Sequence, residues 1–115
     1  MTLTIYHNGE CSKCRGALEI LQEKNIPHEV RWYMADPLNK EELKTILKKL
    51  HLHAFDLVRQ NEDLYKQQYA DKQFTEDEWI EVLLANPSLL QRPIIVKGEN
   101  AIIARPPEKV LEFCK

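Results

Sequence analysis

Two cysteines near the start of the chain, Cys11 and Cys14, have the spacing of a redox or nucleophilic pair. They lie between an apolar segment, residues 3–6, and a helical pattern that covers residues 12–24. The unpaired N–H groups of a helix's first turn and the positive end of its dipole stabilise a thiolate relative to a thiol. Lowering a thiol pKa by roughly two units is worth about 2.7 kcal/mol and ionises most of the sulfur at neutral pH. We therefore predict that Cys11 is a nucleophile.

The sequence leaves the roles of Cys14 and Cys114 open. Cys14 either takes part in the chemistry or is a small buried residue on the inner face of the helix. Cys114 lies beside Phe113 in an apolar segment, and we expect it to be packed rather than reactive. A structural zinc site needs a second ligand pair, and none stands at the usual spacing from the C-x-x-C motif. We therefore expect no bound metal.

Three arginines stand at positions that a fold could bring to this cysteine. Arg59 lies in the central helical region, Arg92 precedes an apolar strand segment, and Arg105 follows another. A guanidinium offers paired planar donors that match a carboxylate, a phosphate or another tetrahedral oxyanion, and it keeps its charge at all relevant pH values. Each arginine alone could be a solvated surface charge. Together they predict an oxyanion pocket beside Cys11.

The elements that must position these residues begin with a β-α-β unit. Residues 3–6 have the pattern of a strand, and residues 12–24 that of a helix with an apolar side. Pro27 prevents that helix from continuing, and residues 28–33 alternate polar and apolar as a second strand. We expect a right-handed crossover between two parallel strands.

The middle of the chain is helical. Asn39 can cap a helix over residues 40–50, and residues 54–67 form a second helical stretch with a weaker pattern. A capping box, Thr75-Glu-Asp-Glu78, begins a third helix that ends before Asn86-Pro87. We therefore predict a helical insertion at about residues 39–88.

The last part of the chain returns to strands. Residues 93–96 and 101–104 are short apolar strands joined by a hairpin turn at residues 97–100. Pro107 begins a last helix, whose Val110, Leu111 and Phe113 we expect to pack on the sheet. A C-x-x-C motif on the first strand-to-helix turn of such a chain is the thioredoxin arrangement. The prediction is one α/β domain over residues 1–115 with a thioredoxin-like fold (βαβ, helical insertion, ββα) and a mixed four-stranded sheet.

Composition narrows the class of protein further. The chain has 115 residues with 43% hydrophobic content, which suits one globular domain, and its formal net charge of −2 gives no basic surface for nucleic acid. It shows neither a leader pattern nor an apolar run long enough for a membrane span. We expect a cytoplasmic, soluble monomer that binds neither nucleic acid directly nor membranes.

The chain resembles the glutaredoxin-coupled arsenate reductases and their close relatives over nearly its whole length. The matching motifs are Ile-Tyr-His-Asn-x-x-Cys-Ser-x-x-Arg at positions 5 to 15, Arg59-x-x-x-x-x-Tyr65, Phe74-Thr-x-Asp77, Asn86-Pro87, Arg92-Pro-Ile-Ile-Val96 and Arg105-Pro106.

This resemblance implies a reaction and its site. The cysteine at the position of Cys11 attacks arsenate, which is bound by the arginines at positions Arg59, Arg92 and Arg105, and a second thiol resolves the adduct with release of arsenite. The histidine at position His7 lies near the nucleophile and has a modest binding or tuning role. The resemblance further implies a cis Arg92–Pro93 bond, no bound cofactor, and glutathione or a glutaredoxin or thioredoxin partner as the reductant.

This chain departs from the family at two places. Gly9-Glu10 stands where the family usually has proline after the asparagine, and Cys14 stands where the family has a small hydroxyl residue. With Cys14 present, an intramolecular route becomes possible, in which Cys14 attacks the Cys11 adduct and forms a disulfide that thioredoxin or glutaredoxin reduces.

Two other functions compete with the reductase. Spx-type transcription regulators share the fold, the C-x-x-C motif and the Arg-Pro-Ile-Ile segment, and they bind RNA polymerase in response to thiol oxidation. They lack Arg105-Pro106, which this chain has. A general thiol-disulfide oxidoreductase would use Cys11 and Cys14 but leaves the three arginines without a role. The sequence therefore favours an arsenate reductase.

Overall fold

Apolar segments from both ends of the chain form one sheet, and the middle of the chain forms helices. The computed structural model describes residues 2–8 and 12–113, which fall into two compact units: a sheet unit (residues 2–36 and 92–113) and a helical unit (residues 37–91). In chain order the elements are β1 (Leu3–His7), α1 (Ser12–Glu23), β2 (His28–Trp32), α2 (Lys40–Leu50), a 3-10 turn (Ala54–Leu57), α3 (Asp63–Gln68), α4 (Glu76–Ala85), a second 3-10 turn (Pro87–Leu89), β3 (Ile94–Lys97), β4 (Asn100–Ile103) and α5 (Lys109–Phe113).

The sheet unit contains a four-stranded mixed sheet in the order β2-β1-β3-β4. β1 is parallel to β2, with Ile5 opposite Val30, and antiparallel to β3, with Ile5 opposite Ile95. β3 and β4 form a hairpin in which Lys97 pairs with Asn100. The predicted thioredoxin-like α/β architecture with a mixed four-stranded sheet is confirmed. The single-domain boundary over residues 1–115 stays a prediction.

The hairpin turn is shorter than the predicted one. Residues 97 and 100 belong to the strands, so that only Gly98 and Glu99 form the connection. Gly98 has φ of 60°, in the left-handed region where glycine avoids the steric cost of a Cβ.

Alternation along β1 decides which residues enter the core. Leu3, Ile5 and His7 point to one face and are buried, as the period of two in a strand requires. Ala17 and Leu21 of α1 complete this core together with residues from the end of the chain, among them Ile95, Ala104 and Val110.

The last helix packs on the sheet through fewer side chains than predicted. Val110 is fully buried and Phe113 packs against the core, but Leu111 is 39% exposed. One residue turns an α-helix by about 100°, and Leu111 therefore faces away when its neighbour Val110 faces inward. The predicted burial of Leu111 is wrong. Cys114 lies outside the described residues.

The helical unit begins at a cap that the sequence predicts. Asn39 accepts a hydrogen bond from the Glu42 N–H at 2.8 Å, while the Glu42 carboxylate accepts one from the Asn39 N–H at 3.3 Å. Thr75 and Glu78 form the same capping box at the start of α4. Both predicted helix starts are confirmed.

The predicted helix over residues 54–67 is wrong as one element. It divides into a 3-10 turn and α3, because Val58 leaves the helical conformation and forms an isolated antiparallel bridge with Leu90. Trp79 of α4 lies in a cluster of rings in this unit, with its centroid 5.0 Å from that of Phe74 and 5.1 Å from that of Phe55. None of the helices in the described part of the chain has the length and apolar character needed to cross a bilayer.

Candidate functional site

The chain leaves β1 at His7 and enters α1 at Ser12, and the predicted nucleophile comes immediately before that helix. Cys11 itself lies outside the described residues, as do Gly9 and Glu10. The first turn of α1 contains no acidic residue, which leaves the positive end of the helix dipole uncompensated by the helix's own carboxylates. The strand-to-helix placement predicted for this segment is confirmed on both sides of it.

Arg92 and Arg105 come from the two strands of the β3–β4 hairpin. The pairing of Ile94 with Ile103 continues outward, since the Ala104 N–H donates to the Pro93 carbonyl at 2.9 Å. Arg92 immediately precedes Pro93, and Arg105 immediately follows Ala104. The structure therefore brings these two predicted site residues together at one end of the hairpin.

This end of the hairpin lies beside the end of β1. Because β1 and β3 are antiparallel with Tyr6 opposite Ile94, the start of β3 is next to the point where β1 leads toward Cys11. His7, Arg92 and Arg105 thus lie along the same edge of the sheet. Both arginines are partly buried. The predicted cis bond at Arg92–Pro93 is confirmed, and Arg105–Pro106 is cis as well.

Close packing holds the segment after Arg105 against α1. A Cβ atom on Gly16 would lie 3.2 Å from the Cγ of Pro107, closer than most such contacts in proteins. The absence of a side chain at Gly16 therefore allows the Arg105-Pro-Pro segment to approach the helix that follows Cys11.

His7 is a buried histidine at this edge, with 2% of its surface exposed. Its ring contacts that of Trp32 edge to face, with centroids 4.7 Å apart. Its Nδ1 is buried and has no hydrogen-bond partner among the described residues. Burial lowers the pKa of His7 below 6.5, and the positive charge of Arg15 lowers it further. The imidazole is therefore held neutral at physiological pH.

Cys14 lies in the first part of α1 and is completely buried. It shares the inner stripe of the helix with Ala17 and Leu21, at the three- and four-residue spacing of one helix face. The burial suits the packing interpretation of Cys14, and it also means that any reaction of this thiol would be with a group of the protein itself. The catalytic role of Cys14 stays a prediction.

Arg59 belongs to the helical unit, where its backbone is firmly held. The Arg59 N–H donates to the Leu89 carbonyl at 2.7 Å, next to the bridge between Val58 and Leu90. Arg59 therefore extends from a bridged segment and not from a helix as its sequence context predicts. Its guanidinium Nη1 donates to the Glu62 carboxylate.

Sequence reasoning missed two side chains that contact predicted site residues. Glu62 pairs with Arg59, and the i to i+3 spacing of opposite charges is a signal that could have identified it. Trp32 lies opposite His7 in the β1–β2 register, but 52% of its surface is exposed and its position at the end of a strand carries no local signal of the contact.

Comparisons with known proteins agree on one family. The sequence profile of the ArsC family matches residues 6–113. The chain is 35% identical to an arsenate reductase of Haemophilus influenzae, covering 98% of this chain and 99% of that protein. It is 44% identical to the uncharacterised protein YfgD of Escherichia coli K12, covering 95% of this chain and 93% of that protein. The solved structure of an arsenate reductase from Vibrio cholerae is similar with a TM-score of 0.90 and 37% identity, covering 97% of each chain.

Proposed function

Since this chain belongs to the ArsC family, we propose that it is a thiol-dependent reductase that converts arsenate to arsenite with Cys11 as its nucleophile. Relatives named arsenate reductase match nearly the full length of the chain. One observation carries the proposal: Arg92 and Arg105 lie at the same end of the sheet, beside the end of the strand that leads to Cys11.

The chemistry needs an anion site next to a nucleophilic sulfur. Arsenate binds to the guanidinium groups of Arg59, Arg92 and Arg105, whose fixed charges stabilise the additional negative charge as arsenic becomes five-coordinate. The Cys11 thiolate forms a bond to arsenic, and an arsenate hydroxyl takes up a proton from solvent and leaves as water when its bond to arsenic breaks. His7, neutral and buried, orients this region without adding a positive charge.

A second thiolate then attacks the Cys11 sulfur. A disulfide forms, the sulfur–arsenic bond breaks, and its electron pair remains on arsenic, which leaves as arsenite. The two thiols are oxidised by two electrons in total and As(V) is reduced to As(III), so a reductant must return the disulfide to thiols in each turnover. Glutathione with glutaredoxin, or thioredoxin, supplies these electrons.

The test of the reaction is arsenite formation from arsenate, with glutathione and glutaredoxin or with thioredoxin. Cys11→Ser should form no arsenite, and Arg92→Ala should raise the KM for arsenate at least about tenfold, as expected when a charged hydrogen-bond donor is lost. Lys97→Ala is the matched control, since it removes a positive charge from the far end of the same strand. Arsenite at the wild-type rate from Cys11→Ser would refute the proposal.

We assign Cys14 to the resolving step of the thioredoxin-coupled route. Its full burial suits a thiol that needs to reach only the neighbouring Cys11 adduct and not an external partner. Alanine is the better replacement here, because serine would place a more polar hydroxyl at a fully buried position and would confuse a loss of stability with a loss of activity.

Cys14→Ala should abolish turnover with thioredoxin and retain turnover with glutathione and glutaredoxin. Mass spectrometry of the oxidised wild type should find a Cys11–Cys14 disulfide. Full thioredoxin-coupled activity of the alanine variant would remove Cys14 from the mechanism and leave it as a core residue.

A further inference from the structure

Glu62 holds the arginine that the helical unit contributes to the proposed reaction. The Nη1 of Arg59 donates to the Oε1 of Glu62, with 18% and 34% of the two side chains exposed. Among the residues that the structure describes, Glu62 is the one carboxylate in contact with this guanidinium. A partly buried ion pair of this kind is screened less by solvent than one on the open surface.

The Glu62 side chain pairs with Arg59 although its position in the chain would allow it to cap a helix. Glu62 is the N-cap residue of α3, yet its side chain makes no hydrogen bond to the helix's first turn. The side chain turns toward Arg59 instead, while the Glu62 N–H donates to the Arg59 carbonyl at 3.2 Å. A local backbone turn thus fixes the carboxylate next to the guanidinium, and the contact does not serve to cap α3.

We propose that the Glu62 carboxylate is an internal competitor of the oxyanion for Arg59, and thereby sets how tightly the protein binds its substrate. This proposal rests on the proposed function, in which Arg59 binds arsenate. A carboxylate and an arsenate both present negatively charged oxygens that can accept hydrogen bonds from a guanidinium. The substrate must displace Glu62 from Nη1, or bind beside it against the repulsion of like charges.

Replacing Glu62 with glutamine distinguishes two roles of this side chain, namely competition with the oxyanion for Arg59 and orientation of the Arg59 guanidinium. Glu62→Gln keeps the size of the side chain and an oxygen that can still accept from Arg59, but it removes the negative charge. The KM for arsenate and the Kd for sulfate, a non-reacting probe, should both fall about three- to tenfold, as expected for a like charge removed from a partly screened site. The kcat should stay the same, because the carboxylate does not act on the reacting atoms.

Asp63→Asn is the matched control. Asp63 is the next residue, is exposed, and belongs to the first turn of α3, so that the variant has the same change in net charge without touching Arg59. Its KM and sulfate Kd should change less than about twofold, as expected for a screened surface charge. Sulfate binding is measured by calorimetry on the protein without reductant.

The outcomes distinguish this proposal from the proposed function. If the wild type forms arsenite and Glu62→Gln leaves both constants unchanged or raises them, the carboxylate orients Arg59 and competition is refuted. If the wild type forms no arsenite but Glu62→Gln binds sulfate more tightly than Asp63→Asn does, the competition stands and the reductase fails. If the wild type forms no arsenite, and neither the wild type nor either variant binds sulfate, both proposals fall.

Discussion

Replacing His7 with an apolar side chain should remove a pH-dependent loss of stability. Burial, and to a smaller extent Arg15, lower the pKa of this imidazole in the folded protein. In the unfolded chain its pKa returns to about 6.5, so that the unfolded state binds more protons between the two values. The free energy of unfolding is therefore not reduced by this titration above about pH 6.5, and it falls as the pH drops toward the lowered pKa.

The size of this loss has an upper limit set by one proton. If the folded imidazole stays neutral throughout, the free energy of unfolding falls by about 1.4 kcal/mol between pH 7.5 and pH 5.5. For a chain of this length that amounts to a fall in Tm of about 5 °C. His7→Leu and His7→Phe should both lack this component of the loss.

Urea unfolding at pH 7.5, 6.5 and 5.5 measures the effect as the difference between wild type and variant at each pH. The two variants differ in volume and shape, and their absolute stabilities will differ because each packs differently in the space that the imidazole fills. The pH slope does not depend on that difference. A wild type that gains stability relative to both variants as the pH falls would show that His7 charges inside the fold, contrary to its burial.

The remaining predictions concern stability and are measured by chemical denaturation. Asn39→Ala removes one acceptor of the α2 capping box and should lower the free energy of unfolding by about 1 kcal/mol, whereas a change below about 0.3 kcal/mol would mean that the box is not formed in solution. Gly98→Ala places a Cβ in the left-handed region and should cost about 1 kcal/mol, with Gly98→Asn restoring part of it. Leu21→Ala empties part of the fully buried core and should cost about 2–5 kcal/mol, while Leu111→Ala, on the exposed face of α5, should change stability by less than about 0.5 kcal/mol. Equal losses for the two leucine variants would contradict the helix orientation.

The elements that the sequence predicts correctly are those whose signals are local. Asn39 and Thr75 are N-cap residue types that stand three residues before a glutamate, and α2 and α4 begin where this spacing predicts. The strand at β1 and the hairpin between β3 and β4 also follow from residues near one another in the chain, although the predicted turn was two residues too long. Such patterns can be read without knowing what lies across the fold.

The predicted helix over residues 54–67 failed because its end depends on a distant partner. Val58 is apolar and could continue a helical pattern, but it bridges Leu90, which is far away in the sequence. No window around Val58 contains that information. The same error placed Arg59 on a helix, although its backbone N–H donates to Leu89. The ion pair with Glu62 follows from this local turn and was missed with it.

The hairpin explains why two of the candidate arginines belong together even though residues 92 and 105 are far apart in the sequence. Strand pairing has a fixed register, and a slip of one residue would turn every side chain to the opposite face. The short turn at Gly98 sets that register, and the Ala104–Pro93 hydrogen bond extends it to the residues beside Arg92 and Arg105. The spacing of the two arginines is therefore a property of the turn and the ladder, and not of the arginine side chains. Arg59 depends on a separate bridge in the helical unit, with a carboxylate of its own. Pairing in the sheet thus fixes the backbone positions beside Arg92 and Arg105, whereas the Glu62 carboxylate can regulate Arg59 within the helical unit, which is the role that we propose for it.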